Sequence, residues 1–352
     1  MNRPGNQGII AALVAAVLFG AGTPLAKLLL EHATPWLLAA LLYLGSGIGL
    51  GLLRRVRRAP AAHLAPGEWR WLAGAIVSGG VIAPVLLMTG LAAMPASGAA
   101  LLLNAESVFT ALLAWFAFRE NFDQRIALGM LAIVAGAVVL SWPAGGAVEF
   151  AHLWPALAVL AACLGWAVDN NLTRKVALTD ASWIAMTKGL AAGATNLVVA
   201  LSMGAAWPGA ASVLGAAVVG FLSYGASLTL FVVALRHLGT ARTGAYFSVA
   251  PFFGALMALT LLDEPLTQNL LLGGALMAVG VVLHLTERHS HVHTHEALEH
   301  QHEHVHGADD PHHEHEHEAP VLPGTRHTHL HRHTPVTHAH PHFPDAHHRH
   351  IH

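Results

Sequence analysis

The sequence predicts an all-α integral membrane protein of ten transmembrane helices, built as two inverted five-helix repeats and followed by a disordered tail. Three observations predict it. The 352 residues are 54% hydrophobic and only 11% charged, outside the balance of a soluble domain. The stretch Gly98 to Gly136, two apolar runs joined by a polar turn, returns further along the chain, so that Glu120 falls on Glu264, Gln124 on Gln268, Gly129 on Gly273 and Gly136 on Gly280. Finally, lysine and arginine segregate to one set of loops, as positive charge does in membrane chains.

Apolar spans of about 20 residues follow one another in order. The first, 8–30, is longer than the apolar core of a signal peptide, contains Pro24 and has a repeat partner downstream, so it is retained as helix 1. Helix 2, 34–53, carries Gly45, Gly47, Gly49 and Gly51, small residues that permit close helix approach. Helices 3, 4 and 5 occupy 70–91, 97–118 and 126–142, the last two flanking the turn Arg119 to Arg125. Helix 6, 153–173, ends on Asp169, Asn170 and Asn171, and helix 7, 182–203, carries Gly189 and Gly193. Helices 8, 9 and 10 take 212–235, 241–262 and 268–286. A weaker self-match places Lys27 on Arg174 and Trp36 on Trp183, pairing helices 1 and 2 with 6 and 7.

With a cytoplasmic N-terminus, the inner side receives Arg3, Arg54, Arg55, Arg57, Arg58, Arg70, Arg119, Arg125, Arg174, Lys175, Arg236 and Arg242, and the outer loops receive none. Only Lys27 and Lys188 are left, both inside predicted helices. Losing one span would place arginines on both sides, so the segregation also checks the helix count. Five helices per half is an odd number, and the second half therefore enters from the opposite side. The predicted organisation is 1–145 and 146–286 for the two repeats and 287–352 for the tail. The protein is expected in the cell inner (plasma) membrane with both termini cytoplasmic.

At the repeated hairpins the chain resembles the drug/metabolite transporter superfamily in its ten-helix EamA-like branch. The resemblance rests on Glu120, Gln124, Gly129 and Gly136, and again on Glu264, Gln268, Gly273 and Gly280. It covers about residues 8 to 286 and implies the fold and a transport function, not the cargo. The family's proline in the second hairpin is matched by Pro251; the equivalent position in helix 4 is Ser107, preceded by Glu106, a departure that places a carboxylate where the family has an apolar or small residue.

An ionisable side chain within the bilayer costs a few kcal/mol on insertion scales and marks a functional candidate. Glu106, near the middle of helix 4 and two residues from Asn104, is placed to bind a proton or a cationic group of the substrate; the alternative is a structural ion pair. Asp169 and Asn170, after Trp166, form the second candidate group, with Asn171 equally readable as a helix end. Lys188 either snorkels, pairs with Asp169 or Glu106, or binds an anionic substrate. Lys27 is read as snorkelling, and Trp166, Tyr224 and Tyr246 as cavity-lining aromatics or as packing. Glu120 and Glu264 lie at surface turns and are assigned a structural role, capping helix 5 or 10. Cys163 stands alone, so no internal disulfide forms, and it reads as a small packing residue.

The tail holds 23 of the 28 histidines and reverses the charge balance of the core. It lacks apolar periodicity and contains recurrent prolines, which predicts disorder without a ligand. His291, His293, His295, His302, His304, His306, His313, His315, His317, His329, His331 and His333 are candidate ligands for a divalent transition metal such as Zn, Ni, Co or Cu. Their spacing offers many exchangeable sites and no single closed one.

The leading expectation is a secondary transporter working by alternating access; the family resemblance implies an exporter of small metabolites or xenobiotics, and proton coupling is expected through Glu106 or Asp169. No nucleotide-binding loop is present, and no cofactor is required. The alternative is a divalent metal transporter, or a carrier regulated by metal through its tail. An enzyme is not expected, because a histidine-ligated membrane di-iron site needs ligands fixed by the helical bundle and these sit in the tail. Expected partners are the lipid bilayer, a small-molecule substrate, metal ions and a second copy in a homodimer, with no nucleic acid.

Overall fold

A computed structural model of the chain describes residues 4–59, 62, 64, 67–118, 124–142, 150–176, 179–231, 233–234, 246–285, 290–295, 299–305, 326–332 and 336–341. It divides into two units, Met1–Glu287 and Arg288–His352. Among the described residues of the first unit the helices are α1 (Pro4–Leu29), α2 (Pro35–Val56), α3 (Trp69–Ala92), α4 (Ala96–Leu102 continuing as Ala105–Phe118), α5 (Gln124–Ser141), α6 (Phe150–Thr173), α7 (Ala181–Ser202), α8 (Ala210–Phe231), α9 (Ala250–Leu261) and α10 (Gln268–Leu285). Seven of these elements are long and apolar enough to span a membrane, and the apolar parts of α5, α9 and α10 are shorter. Caps begin where the sequence supplies them. The Thr34 hydroxyl accepts from the Leu37 N–H ahead of Pro35, and the Asp180 carboxylate accepts from the Trp183 N–H. Burial alone would raise the Asp180 pKa, but hydrogen bonds from Ser182 and Trp183 and the charge of Arg54 hold it below the usual carboxylate range.

The packing shows why the repeat is inverted. Gly136 lies against Gly273, and Gly280 against Gly129. Along the seam the α5 number falls as the α10 number rises, so the two helices run antiparallel, and each glycine meets the repeat mate of the other. A Cβ on Gly136 would meet the Gly273 carbonyl oxygen at 2.8 Å, and one on Gly280 the Gly129 oxygen at 2.6 Å, so backbone touches backbone. The α2–α7 seam repeats this with Gly47 against Gly189 and Gly193 against Leu44. Exchanging the halves maps the remaining contacts onto one another: α2 packs on α8 as α7 does on α3, and α1 packs on α9 and α8 as α6 does on α4 and α3.

The shared core is rich in small and aliphatic residues, including Leu37, Leu42, Leu87, Leu102, Val159 and Met277, all fully buried. The outward faces carry large apolar side chains at helical spacing, such as Leu128, Leu131, Val134 and Val138 on α5, which suits lipid contact. Trp69, Trp142 and Trp207 are exposed near helix ends, as interfacial anchors are.

The second unit carries four extended segments where the sequence predicts none. The strand β1 (Ser290–His295) pairs antiparallel with β4 (Val336–Pro341), and β2 (Glu299–Val305) with β3 (Arg326–Arg332). The reason is local: His-x-His has a period of two, the period of a strand, although two-stranded pairs of this size are marginal by themselves. Register sets His291 opposite His340, His293 opposite His338, His302 opposite His329, His304 opposite His327 and His300 opposite His331. His306, His313, His315, His317 and His333 lie outside the described residues.

Candidate functional site

The site begins with two widened helical turns. Residues Ile76–Ile82 of α3 and Gly220–Ala226 of α8 are π-helical, separated by the same spacing as the repeated hairpin. A π turn closes its hydrogen bonds one residue late and leaves carbonyls for other donors. Here the Gly79 oxygen accepts from the Tyr43 hydroxyl at 2.8 Å and from the Trp166 indole N–H at 2.9 Å. Asn196, fully buried on α7, donates to the Gly80 and Val81 oxygens at 3.3 and 3.4 Å. Side chains from α2, α6 and α7 thus converge on one bulge. On the other bulge, Tyr224 stacks obliquely on Tyr43, with ring centroids 5.7 Å apart, and edge-on against Phe19.

Beside the first bulge, Lys188 of α7 donates to both carboxylate oxygens of Asp169 at 2.5 and 2.6 Å. Thr173, one turn further along α6, donates to Asp169 at 2.8 Å. The pair fits only because position 79 is glycine: a Cβ there would stand 2.0 Å from the Asp169 carboxylate. Asp169 is 5% exposed, so it is a buried charge with its partner in place. Of the three alternatives for Lys188, the geometry selects the pair with Asp169.

Glu106 stands apart from this pair. It is half-buried, and its carboxylate accepts from the Asn170 side-chain amide at 2.7 Å. Asn170 is itself exposed. Glu106 opens the second segment of α4, just past a break at Leu103 and Asn104, where the amides of Leu103, Asn104, Glu106 and Ser107 reach back three residues instead of four. In the second repeat, α9 restarts at Ala250 after a turn at Ser248 and Val249. Aligned on these breaks, the mate of Glu106 is Pro251, one residue from the match with Ser107 expected from the hairpin spacing. A discontinuous fourth helix is therefore a property of both halves.

The remaining candidates separate. Asn104 is buried in the α4 break, donates to Leu101 and touches Met277, so it does not join Glu106. Trp166 is buried behind the site with its N–H spent on Gly79. Asn171 donates to the Ala167 carbonyl of its own helix, and Tyr246 packs against the buried cluster of Ala11, Ala12 and Ala234. Cys163 is buried as a packing residue. The sequence reading missed Tyr43, Gly79, Thr173 and Asn196. The signal available for them was a polar side chain, or a Ser-Gly-Gly run, in the middle of an apolar span.

Two surface assignments change. Glu264 does not cap α10; it accepts from the Ala96 and Ser97 N–H groups at 2.6 and 2.9 Å and from the Ser97 hydroxyl, capping α4 across the molecule. Lys27 does not snorkel; its ammonium group donates to the carbonyls of Leu91, Ala92 and Met94, the C-terminal end of α3. Glu264 thus ties the second half to the first, and Lys27 ties α1 to α3 within the first, at the end bearing the α3–α4 and α9–α10 turns. Glu264→Ala is expected to cost about 1–2 kcal/mol in thermal unfolding, and Glu264→Gln, which keeps an acceptor, less. Glu120 lies outside the described residues. Among the described residues no group of histidine, cysteine and carboxylate side chains is arranged to hold a metal.

The EamA-like transporter family matches residues 6–142 and again 153–286. The two matches correspond to the two five-helix halves. An uncharacterized transporter of Methanothermobacter thermautotrophicus is 28% identical over 296 residues, covering 78% of this chain and 85% of its own length. A protein known from a crystal structure superposes with a TM-score of 0.60 at 20% identity, over 78% of this chain and 94% of its own, a likeness of fold. Such a family match over both halves, on a bundle of apolar helices, assigns the chain to transport rather than catalysis. It is a multi-pass membrane protein that belongs to the EamA-like transporter family.

Proposed function

We propose that the chain is a secondary exporter of small metabolites or xenobiotics that bear a cationic group, working by alternating access between its two halves, with Glu106 binding either that group or a proton. One observation carries the reading. Of the two acids at the centre of the bundle, Asp169 is balanced by Lys188, whereas the described partner of Glu106 is a neutral amide. The site thus holds one carboxylate in excess, in a surround that penalises an uncompensated charge. Tyr43 and Tyr224 add aromatic faces, which attract cations. The arginine segregation supports a plasma-membrane orientation with both termini cytoplasmic.

Efflux measured in proteoliposomes over a range of pH tests this. Glu106→Gln is expected to lower efflux at least tenfold and to flatten its pH dependence; normal efflux with the wild-type pH profile would remove Glu106 from the mechanism. A second reading, metal regulation through the tail, is favoured by its composition, 23 histidines with interspersed carboxylates. Its ligands would be neutral imidazoles, available at cytoplasmic pH. Deleting residues 287–352 is expected to abolish binding of Zn or Ni to the purified protein without changing basal efflux.

A further inference from the structure

Away from the central site, a crevice of about 190 Å³ lies where the two halves meet at the arginine-rich end. Leu50, Leu53, Arg54 and Arg57 line it from α2. Their spacing of three and four residues places them on one helix face. Ser182 from the first turn of α7 and Leu228 and Thr229 from α8 also line it. The lining therefore changes from aliphatic to basic along the direction from the bundle interior to the helix end.

The charges are not evenly committed. Asp180, the acid in the lining, holds Arg54 at 2.7 Å, and Ser182 shares that contact. Arg57 is exposed at the mouth. Here α2 ends with Arg58 at φ 49°, a left-handed residue that normally favours glycine. The Ala59 N–H reaches back to Arg54 and the Arg58 N–H to Arg55, which closes the helix and turns Ala59 over the crevice.

We propose that this crevice binds one anionic phospholipid of the surrounding leaflet, its phosphate on Arg57 and Arg54 and an acyl chain along Leu53 and Leu228. Basic recesses between membrane helices take acidic headgroups, and an apolar floor beneath a basic rim matches a lipid better than a soluble anion. The lipid bridges α2 of one half to α7 and α8 of the other.

The test is thermal unfolding of the purified full-length protein in neutral detergent, with added phosphatidylglycerol, phosphatidylcholine or inorganic phosphate. Phosphatidylglycerol is expected to raise the transition by several degrees, and the other two to leave it in place. Arg57→Glu is expected to abolish that rise while its own transition without lipid stays close to wild type. Arg55→Glu, the same change of charge outside the crevice, is expected to retain it. Equal shifts from the two lipids, a shift from phosphate alone, or equal loss in both variants overturns the proposal.

Discussion

Lys188→Ala is expected to destabilise the protein by about 3 kcal/mol, the largest loss of any single polar substitution in the bundle. The substitution removes the cation that faces a buried Asp169 and leaves the carboxylate with Thr173 as its remaining side-chain donor. Coulomb attraction in this pair does little more than repay desolvation, so the penalty comes from the orphaned charge rather than from the lost contact. Adding Asp169→Asn to Lys188→Ala is therefore expected to recover most of the stability, because a neutral amide no longer needs a cation. Unfolding of the single and double variants in the same detergent decides this. A double variant no more stable than Lys188→Ala would show that the lysine acts through packing.

The second large effect is expected at the α5–α10 seam. Gly136→Leu places a four-carbon side chain where a Cβ already meets the Gly273 oxygen at 2.8 Å and Met277 at 2.7 Å. Backbone cannot turn aside as a side chain can, so the helices must separate, at about 3 kcal/mol or more. Gly98→Ala is the contrast: its Cβ would meet only the flexible ends of Leu140 and Met94, at 3.3 and 3.4 Å, and the expected cost is below about 1 kcal/mol. Folded yield and unfolding temperature of the two variants measure the difference.

The repeated glycines illustrate what one-dimensional reasoning reached. Their shared spacing identified the repeat, and the odd number of helices per half implied inversion. The seam explains why the same residues recur: under an antiparallel two-fold, Gly136 meets the mate of Gly129 and Gly280 meets Gly129 itself. Glu264 illustrates the opposite case. Its position at a turn suggested a cap on the helix that follows, yet it caps α4, far away in sequence, because the halves bring that N-terminus to it. Lys27 likewise found carbonyls on α3 rather than water. In both cases the residue type and its chemistry were legible, and the partner was not.

At the central site the sequence marked Glu106, Asp169, Asn170 and Lys188 as charged or polar groups that a bilayer penalises, but left their pairing open. Tertiary structure settled it: Lys188 on Asp169, Asn170 on Glu106, with Gly79 making room and the π turn supplying carbonyls to Tyr43 and Trp166. The sequence by itself determined the membrane class, the ten spans, the inverted repeat and the residues unsuited to lipid, because partition energy and helical period are set residue by residue along the chain. Only the folded bundle decided which acid pairs with a lysine and which with an amide, because that depends on distances of a few ångströms between helices remote in sequence, fixed by glycine seams and widened turns.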